Sequence, residues 1–290
     1  MTTRRFEHFV AIDWSGAAGE RHHGIALALC STGRAAPELV RPGHRWSRPE
    51  VLHWLLHELP DETLVGFDMG ISLAHADAGN FFPGWSESPA TARELWALID
   101  RICADDAHLS VNSLVDHPAA ARHFRRHGGR EGDLFGGGRG RFRVTEQVQE
   151  AMGCRPYSNF NLVGAAQVGK SSLTGMRLLH RLAGRLPVWP VDPLPHSGSV
   201  VVEIYTTIAA RAAGRRTGAS KIRDFADLIA ALTALDSAAV AGSGAITDHA
   251  ADALITAAWL RRDHARAELW APPGLTSNLA KTEGWTFGAA

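Results

Sequence analysis

A single α/β domain over residues 1–290 is predicted, built on a mixed sheet and flanked by helices. Strands 1–3 are expected to be antiparallel, later strands parallel to strand 1, and a large insertion to interrupt the middle of the chain. Three observations lead there. Two short apolar runs, Phe9–Ile12 and Thr63–Phe67, each stop at an aspartate, Asp13 and Asp68. The segments before Asp68 follow the order β-β-β-α-β. Hydrophobic residues make up 45% of the 290, enough for one sizeable core.

Phe9–Ile12 reads as the first strand, Ser15–Gly19 as a turn and His23–Cys30 as a second strand completing a hairpin. A third strand is placed around Glu38–Trp46. After Ser47-Arg48-Pro49, the positions Val51, Leu52, Trp54, Leu55, Leu56 and Leu59 recur at helical spacing, with Ser47 a good N-cap and Pro49 in the first turn. Thr63–Phe67 is the fourth strand, and Pro89–Cys103 reads as a helix. Residues 107–158 are expected to form a flexible Gly/Arg-rich insertion, most marked over Ala107–Arg143. Order resumes with a strand at Asn159–Val163, a helix at Ser172–Leu182, a strand at Ser199–Tyr205, and helices near Lys221–Leu235 and Asp248–Arg262.

Thirty Lys plus Arg balance thirty Asp plus Glu, so no global positive field marks a nucleic-acid binder, and any attraction to phosphate must be local. Cys30, Cys103 and Cys154 are far apart, without metal-ligand spacing, and read as reduced packing residues of a cytoplasmic protein. The first residues lack a signal peptide's apolar region, and no run approaches the roughly 20 apolar residues of a membrane span, so no membrane partner is expected.

The candidate chemistry is carried by acids. Asp13 and Asp68 stand at the ends of apolar strands; each is either a turn-capping aspartate or one of a pair sharing metal, since neighbouring strands lie about 4.8 Å apart. In D-H-A-A-D-A-L-I-T-A-A-W-L, a helix apolar nearly all round, Asp248, His249, Asp252 and Thr256 form one polar stripe. A carboxylate there costs several kcal/mol unless paired or metal-bound, so Asp252 needs a partner. Asp248 either belongs to the N-cap with Thr247 or joins the metal site. His249 either ligates metal or satisfies a core hydrogen bond. Glu203, in V-V-V-E-I-Y, is either an edge-strand glutamate paired with an arginine or a fourth acid of the site.

Two further features concern phosphate. Gly164–Ser171, G-A-A-Q-V-G-K-S, fits a P-loop pattern; without a nucleotide, Lys170, Ser171 and nearby amides could still hold a substrate phosphate. The insertion carries Arg122, Arg125, Arg126, Arg130, Arg139, Arg141 and Arg143 interleaved with Phe124, Phe135 and Phe142. It is either a solvated loop or a flap gripping single-stranded or branched nucleic acid, with Arg141 and Arg143 as substrate contacts.

The strings V-A-I-D-W-S-G, V-G-F-D-M-G-I, F-R-V-T-E, F-N-L-V-G-A-A-Q-V-G-K-S-S-L-T-G-M, V-V-V-E-I-Y, D-H-A-A-D-A-L and E-G-W-T-F-G, in this order, resemble the domain-of-unknown-function 429 family over about residues 7–288. That family is usually described as predicted nucleases of ribonuclease H-like fold. H-A-A-D-A-L is also similar to the last-helix motif of RuvC-type resolvases. The resemblance implies metal-site roles for His249 and Asp252, and matches Asp13 and Asp68 to the acids of the first and fourth strands. The fourth-strand acid is often Glu in resolvases and is Asp here, and Glu203 has no equally secure counterpart. The expectation is a two-metal nuclease using Mg²⁺ or Mn²⁺. Asp13 would bridge the ions, Asp68 and Asp252 each complete one, Asp248 stand as a further metal-site candidate, and His249 or Glu203 orient water. The rivals are a non-catalytic nucleic-acid-binding or assembly module on the same fold and a P-loop nucleotide phosphohydrolase; a homo-oligomer stays open.

Overall fold

The computed structural model describes residues 6–163, 168–216 and 221–290. Six strands form the main sheet: β1 His8–Asp13, β2 Ala26–Ser31, β3 Glu38–Leu39, β4 Thr63–Asp68, β5 Val188–Trp189 and β6 Val200–Glu203, in the spatial order β3-β2-β1-β4-β6-β5. β2 is antiparallel to both β1 and β3, whereas β4, β6 and β5 continue parallel to β1. The expected mixed sheet is therefore present, with antiparallel strands on one side and parallel strands on the other.

β1 and β4 are central and apolar on both faces, as strands covered on both sides must be. Val10, Ile12, Val65 and Phe67 face one core with helices α1 Arg48–His57, α2 Ala92–Ile102 and, beyond α3 Val144–Ala151, α4 Val168–Arg181. Phe9, Ala11, Leu64, Val200 and Val202 face the other, with α5 Thr206–Ala212, α6 Phe225–Ala234 and α7 Asp248–Asp263. Gly66 lets α7 lie close to β4, since a Cβ there would stand 2.9 Å from Leu260 Cδ1 and 2.8 Å from Ile204 Cγ2.

Local signals account for the helix starts. Ser47 and Glu50 form a reciprocal capping box on α1, with Pro49 in its first turn; Thr91 and Glu94 do the same for α2. Asp224 caps α6 and Thr247 caps α7.

Several expectations change. The third strand is only Glu38–Leu39, because Trp46–Ser47 leave the sheet to pair with Arg21–His22. Asn159–Val163 forms no sheet strand; its backbone bonds Arg125, through Arg125 N to Phe160 O and Leu162 N to Arg125 O. Residues 107–158 are packed rather than a flexible excursion: Leu109, Val111, Leu114, Ala120, Phe124 and Phe135 are buried in the core beside α2 and α4.

The arginines of that segment are largely paired within the domain: Arg122 with Asp133, Arg126 with Asp116, Arg139 with Glu150 and Arg141 with Asp77. No helix among the described residues is long and apolar enough to cross a membrane.

Candidate active site

β1 and β4 run parallel in a register that sets Asp13 directly opposite Asp68, each the last residue of its strand. α7 crosses this end of the sheet and brings Asp252, His249 and Asp248 to the same place. Asp13, Asp68 and His249 line a cleft of about 460 Å³, together with Lys221. The three acids named from the sequence thus come from three separate elements: Asp13 and Asp68 open onto the cleft, and Asp252 is buried beside it, reached through Lys221.

Their electrostatics are strained. Burial pushes the Asp68 carboxyl well above the usual carboxylate range, and the charges of Asp13 and Asp252 push it further; the Thr206 amide and Lys221 oppose this. Thr206, the first residue of α5, donates to Asp68 from its amide at 3.4 Å and its hydroxyl at 3.3 Å. Asp252 is buried, and burial raises its pKa to about 6 even though the Lys221 ammonium donates to it at 2.6 Å; Asp13 and Asp248 add to the rise. Lys221 lies 3.7 Å from Asp248 as well. Burial disfavours its charge, but Asp252 outweighs that and the amine rises to about 12.

His249 Nδ1 stands 2.8 Å from Asp13 Oδ2, and since the carboxylate can only accept, Nδ1 carries the proton. That bond raises the imidazole's pKa, against burial. The far nitrogen, Nε2, lies 3.8 Å from Asp248 Oδ1. Asp248 is not the cap: Thr247 accepts the Ala250 amide, and Asp248 occupies the first turn. Burial would raise its pKa, yet His249 and Lys221 hold it below the usual carboxylate range.

Glu203 also borders the cleft but is otherwise engaged. Arg143 grips it with two bonds, 2.8 and 2.6 Å, the Ile71 amide donates at 2.9 Å, and the Thr286 hydroxyl donates too. The expected arginine partner is present, although β6 is interior to the sheet rather than at its edge. Arg143 also bonds Glu146 and the Glu283 carbonyl, and is 2% exposed. Arg141 holds Asp77 and the carbonyls of Ala74, Asn80 and Phe81. Both guanidiniums tie the packed segment to the domain; of the two, Arg143 also lines the cleft, and Arg141 is not among its lining residues.

The P-loop reading of Gly164–Ser171 falls partly on residues 164–167, outside the described residues. From Lys170 onward the sequence serves close packing of α4. A Cβ on Gly16 would come within 2.3 Å of the Ser171 amide nitrogen and 2.7 Å of Lys170 Cβ, so only glycine fits there. The Ser171 hydroxyl accepts the Gly16 amide at 3.1 Å, Ser172 accepts that of Gly70 at 3.0 Å, and Thr174 accepts the Trp14 indole at 3.1 Å. The helix start thereby clamps the loops that follow Asp13 and Asp68.

Sequence reasoning missed Lys221, Thr206 and the two cleft-lining tyrosines, Tyr157 and Tyr205. Thr206 had one usable signal, its place just beyond an apolar strand, where a helix start offers an amide and a hydroxyl. Lys221 had none. Among the described residues, no three His, Cys, Asp or Glu side chains already stand as a metal-binding group. Comparison with protein-family models, curated proteins and solved structures finds no match to this chain.

Proposed function

We propose that the cleft is a divalent-metal-dependent nuclease site on a ribonuclease H-like fold, hydrolysing phosphodiester bonds of DNA or RNA. The observation that carries this reading is the gathering of Asp13, Asp68 and Asp252, where burial first, and then the charges of Asp13 and Asp252, push Asp68 toward protonation. Acids brought together from three elements leave surplus negative charge that a bound cation relieves. The strand order and the acids closing β1 and β4 support the fold assignment.

The donor set fits a hard cation: carboxylate oxygens with room for water suit Mg²⁺ or Mn²⁺. Asp13, opposite Asp68 across the strands and bonded to His249 of α7, would be the shared ligand, with Asp68 and Asp252 each completing one ion. Lys221 holds Asp252 and His249 holds Asp13, and these carboxylates would hold a metal in exchange for those contacts. Once bound, such ions make water nucleophilic near neutral pH and offset charge on the phosphate. The chain's own groups do the rest. Thr206 fixes the direction of Asp68, and His249 Nε2, 3.8 Å from Asp248 Oδ1, is the nitrogen left to accept a proton from water or return one to the leaving oxygen.

Asp13→Asn should abolish Mg²⁺- or Mn²⁺-dependent cleavage of a labelled oligonucleotide, exceeding the roughly 10–100-fold loss typical of outer-shell changes, while circular dichroism shows the fold retained. Equal cleavage by both proteins would overturn the assignment.

One observation favours a second reading, a nucleic-acid-binding module without turnover: the Lys221 ammonium already neutralises Asp252. Calorimetry with Mn²⁺ separates the two, because that module needs no metal at these acids.

A further inference from the structure

The chain has two tyrosines, and both wall the cleft that holds the acids. Tyr157 is 50% exposed, unusual for a large ring in this protein, where most are buried. Tyr205 follows β6 and directly precedes Thr206, the residue that fixes Asp68. Its hydroxyl donates to the Arg155 carbonyl at 3.3 Å, which ties the loop bearing Tyr157 to the end of β6. Arg155, two residues before Tyr157, is exposed, as is Arg211, which donates to the Gly153 carbonyl at 3.5 Å. Aromatic faces alternating with guanidiniums are the means by which proteins hold unpaired bases.

We infer that Tyr157 and Tyr205 form a base-stacking subsite, and that the substrate is single-stranded nucleic acid. One base lies against the tyrosines while the adjoining phosphate lies over Asp13 and Asp68. The inference rests on the nuclease reading and adds the substrate class to it. Two physical arguments support it. A chain with equal numbers of acidic and basic residues, and an acid-rich cleft, gains little from phosphate neutralisation, so binding must draw on something else. Stacking supplies that, and it is open only to a base that has left its own stack, which a duplex withholds at the expense of unpairing. A cleft of about 460 Å³ is also in the range that accommodates a nucleotide-sized group.

The test measures fluorescence anisotropy of a labelled single-stranded 12-mer, the same strand as a duplex, and an abasic strand, all in an Asp13→Asn background that blocks turnover. Tyr157→Ala should weaken single-strand binding by about 5- to 150-fold, the usual effect of removing one stacking ring. Tyr157→Trp should retain it, and duplex and abasic binding should not change. Because Tyr157 is half exposed, its replacement leaves the fold intact. Unchanged single-strand affinity in Tyr157→Ala, or equal weakening on the abasic strand, would overturn the subsite. If the wild-type protein still cleaves the 12-mer in that case, the nuclease reading survives without it. If the wild type neither binds nor cleaves, both fail.

Discussion

Two clusters of carboxylates reach the same cleft, one through Glu146 and Glu203 and the other through Asp13 and Asp68, and they are built on opposite principles. Around Arg143, Glu203 and Glu146 are saturated: one guanidinium serves both, and a backbone amide and a hydroxyl complete Glu203. Around Asp13, Asp68 and Asp252, acids outnumber firm cationic partners, and those partners, Lys221 and His249, are partly exposed and exchangeable. Burial alone does not separate the groups, since Asp252 and Glu203 are each 3% exposed. The difference is charge balance. A buried acid with its partners complete is part of the framework, whereas buried acids with charge left over are poised to take something in.

The sharpest way to break this contrast is at Arg143. Arg143→Met leaves Glu146 and Glu203 buried without their cation, and removing one member of such a cluster costs about 3–5 kcal/mol. Thermal or urea unfolding should show that loss. A small effect would mean that the cluster is not framework, and that Glu203 is available to the site after all.

The acid-rich cluster should respond in the opposite sense. Burial raises the Asp252 carboxyl from its ordinary 3.8 to about 6, so the folded protein holds its proton more tightly than the unfolded chain does. The stability this contributes is fully present below about pH 4 and is lost as pH rises through about 6, an upper bound of about 3 kcal/mol. Asp68 shifts in the same direction. Mg²⁺ or Mn²⁺ should reverse the loss, so the metal-induced rise in melting temperature should be larger at pH 7.5 than at pH 5. At 100 times the dissociation constant it corresponds to about 2.7 kcal/mol. Asp252→Asn should remove most of both effects. A metal response equal at the two pH values would place the ion elsewhere.

How much of this was legible in the sequence follows from the range of each interaction. Asp13 and Asp68 were visible because each closes an apolar strand, and Asp252 because a helix with apolar neighbours on every side leaves a carboxylate no solvent. The mixed sheet followed from the same runs. Glu203's partner was invisible, since Arg143 lies 60 residues away with no periodic pattern to place it. The packing of residues 107–158 was missed for a related reason. Leu109, Val111, Phe124 and Phe135 are buried one at a time from irregular backbone, among glycines and arginines that read as solvated. Lys221 reaches Asp252 from 31 residues away, a contact set by tertiary structure alone.

The smallest predicted effect concerns the arginines of that segment, and it sharpens the contrast between paired and surplus charge. Arg122 and Asp133 form an exposed pair whose partners are both well solvated. Such pairs contribute little to stability because water and salt screen them and two long side chains lose freedom in forming them. Arg122→Ala should leave the melting temperature unchanged. It should also leave single-strand affinity unchanged, because a guanidinium already held by a carboxylate has little net charge to offer a phosphate. A clear loss of oligonucleotide binding in Arg122→Ala, reduced further as salt rises, would show instead that the pair opens for the substrate, and that the arginine-rich segment grips the backbone while the tyrosines hold the base.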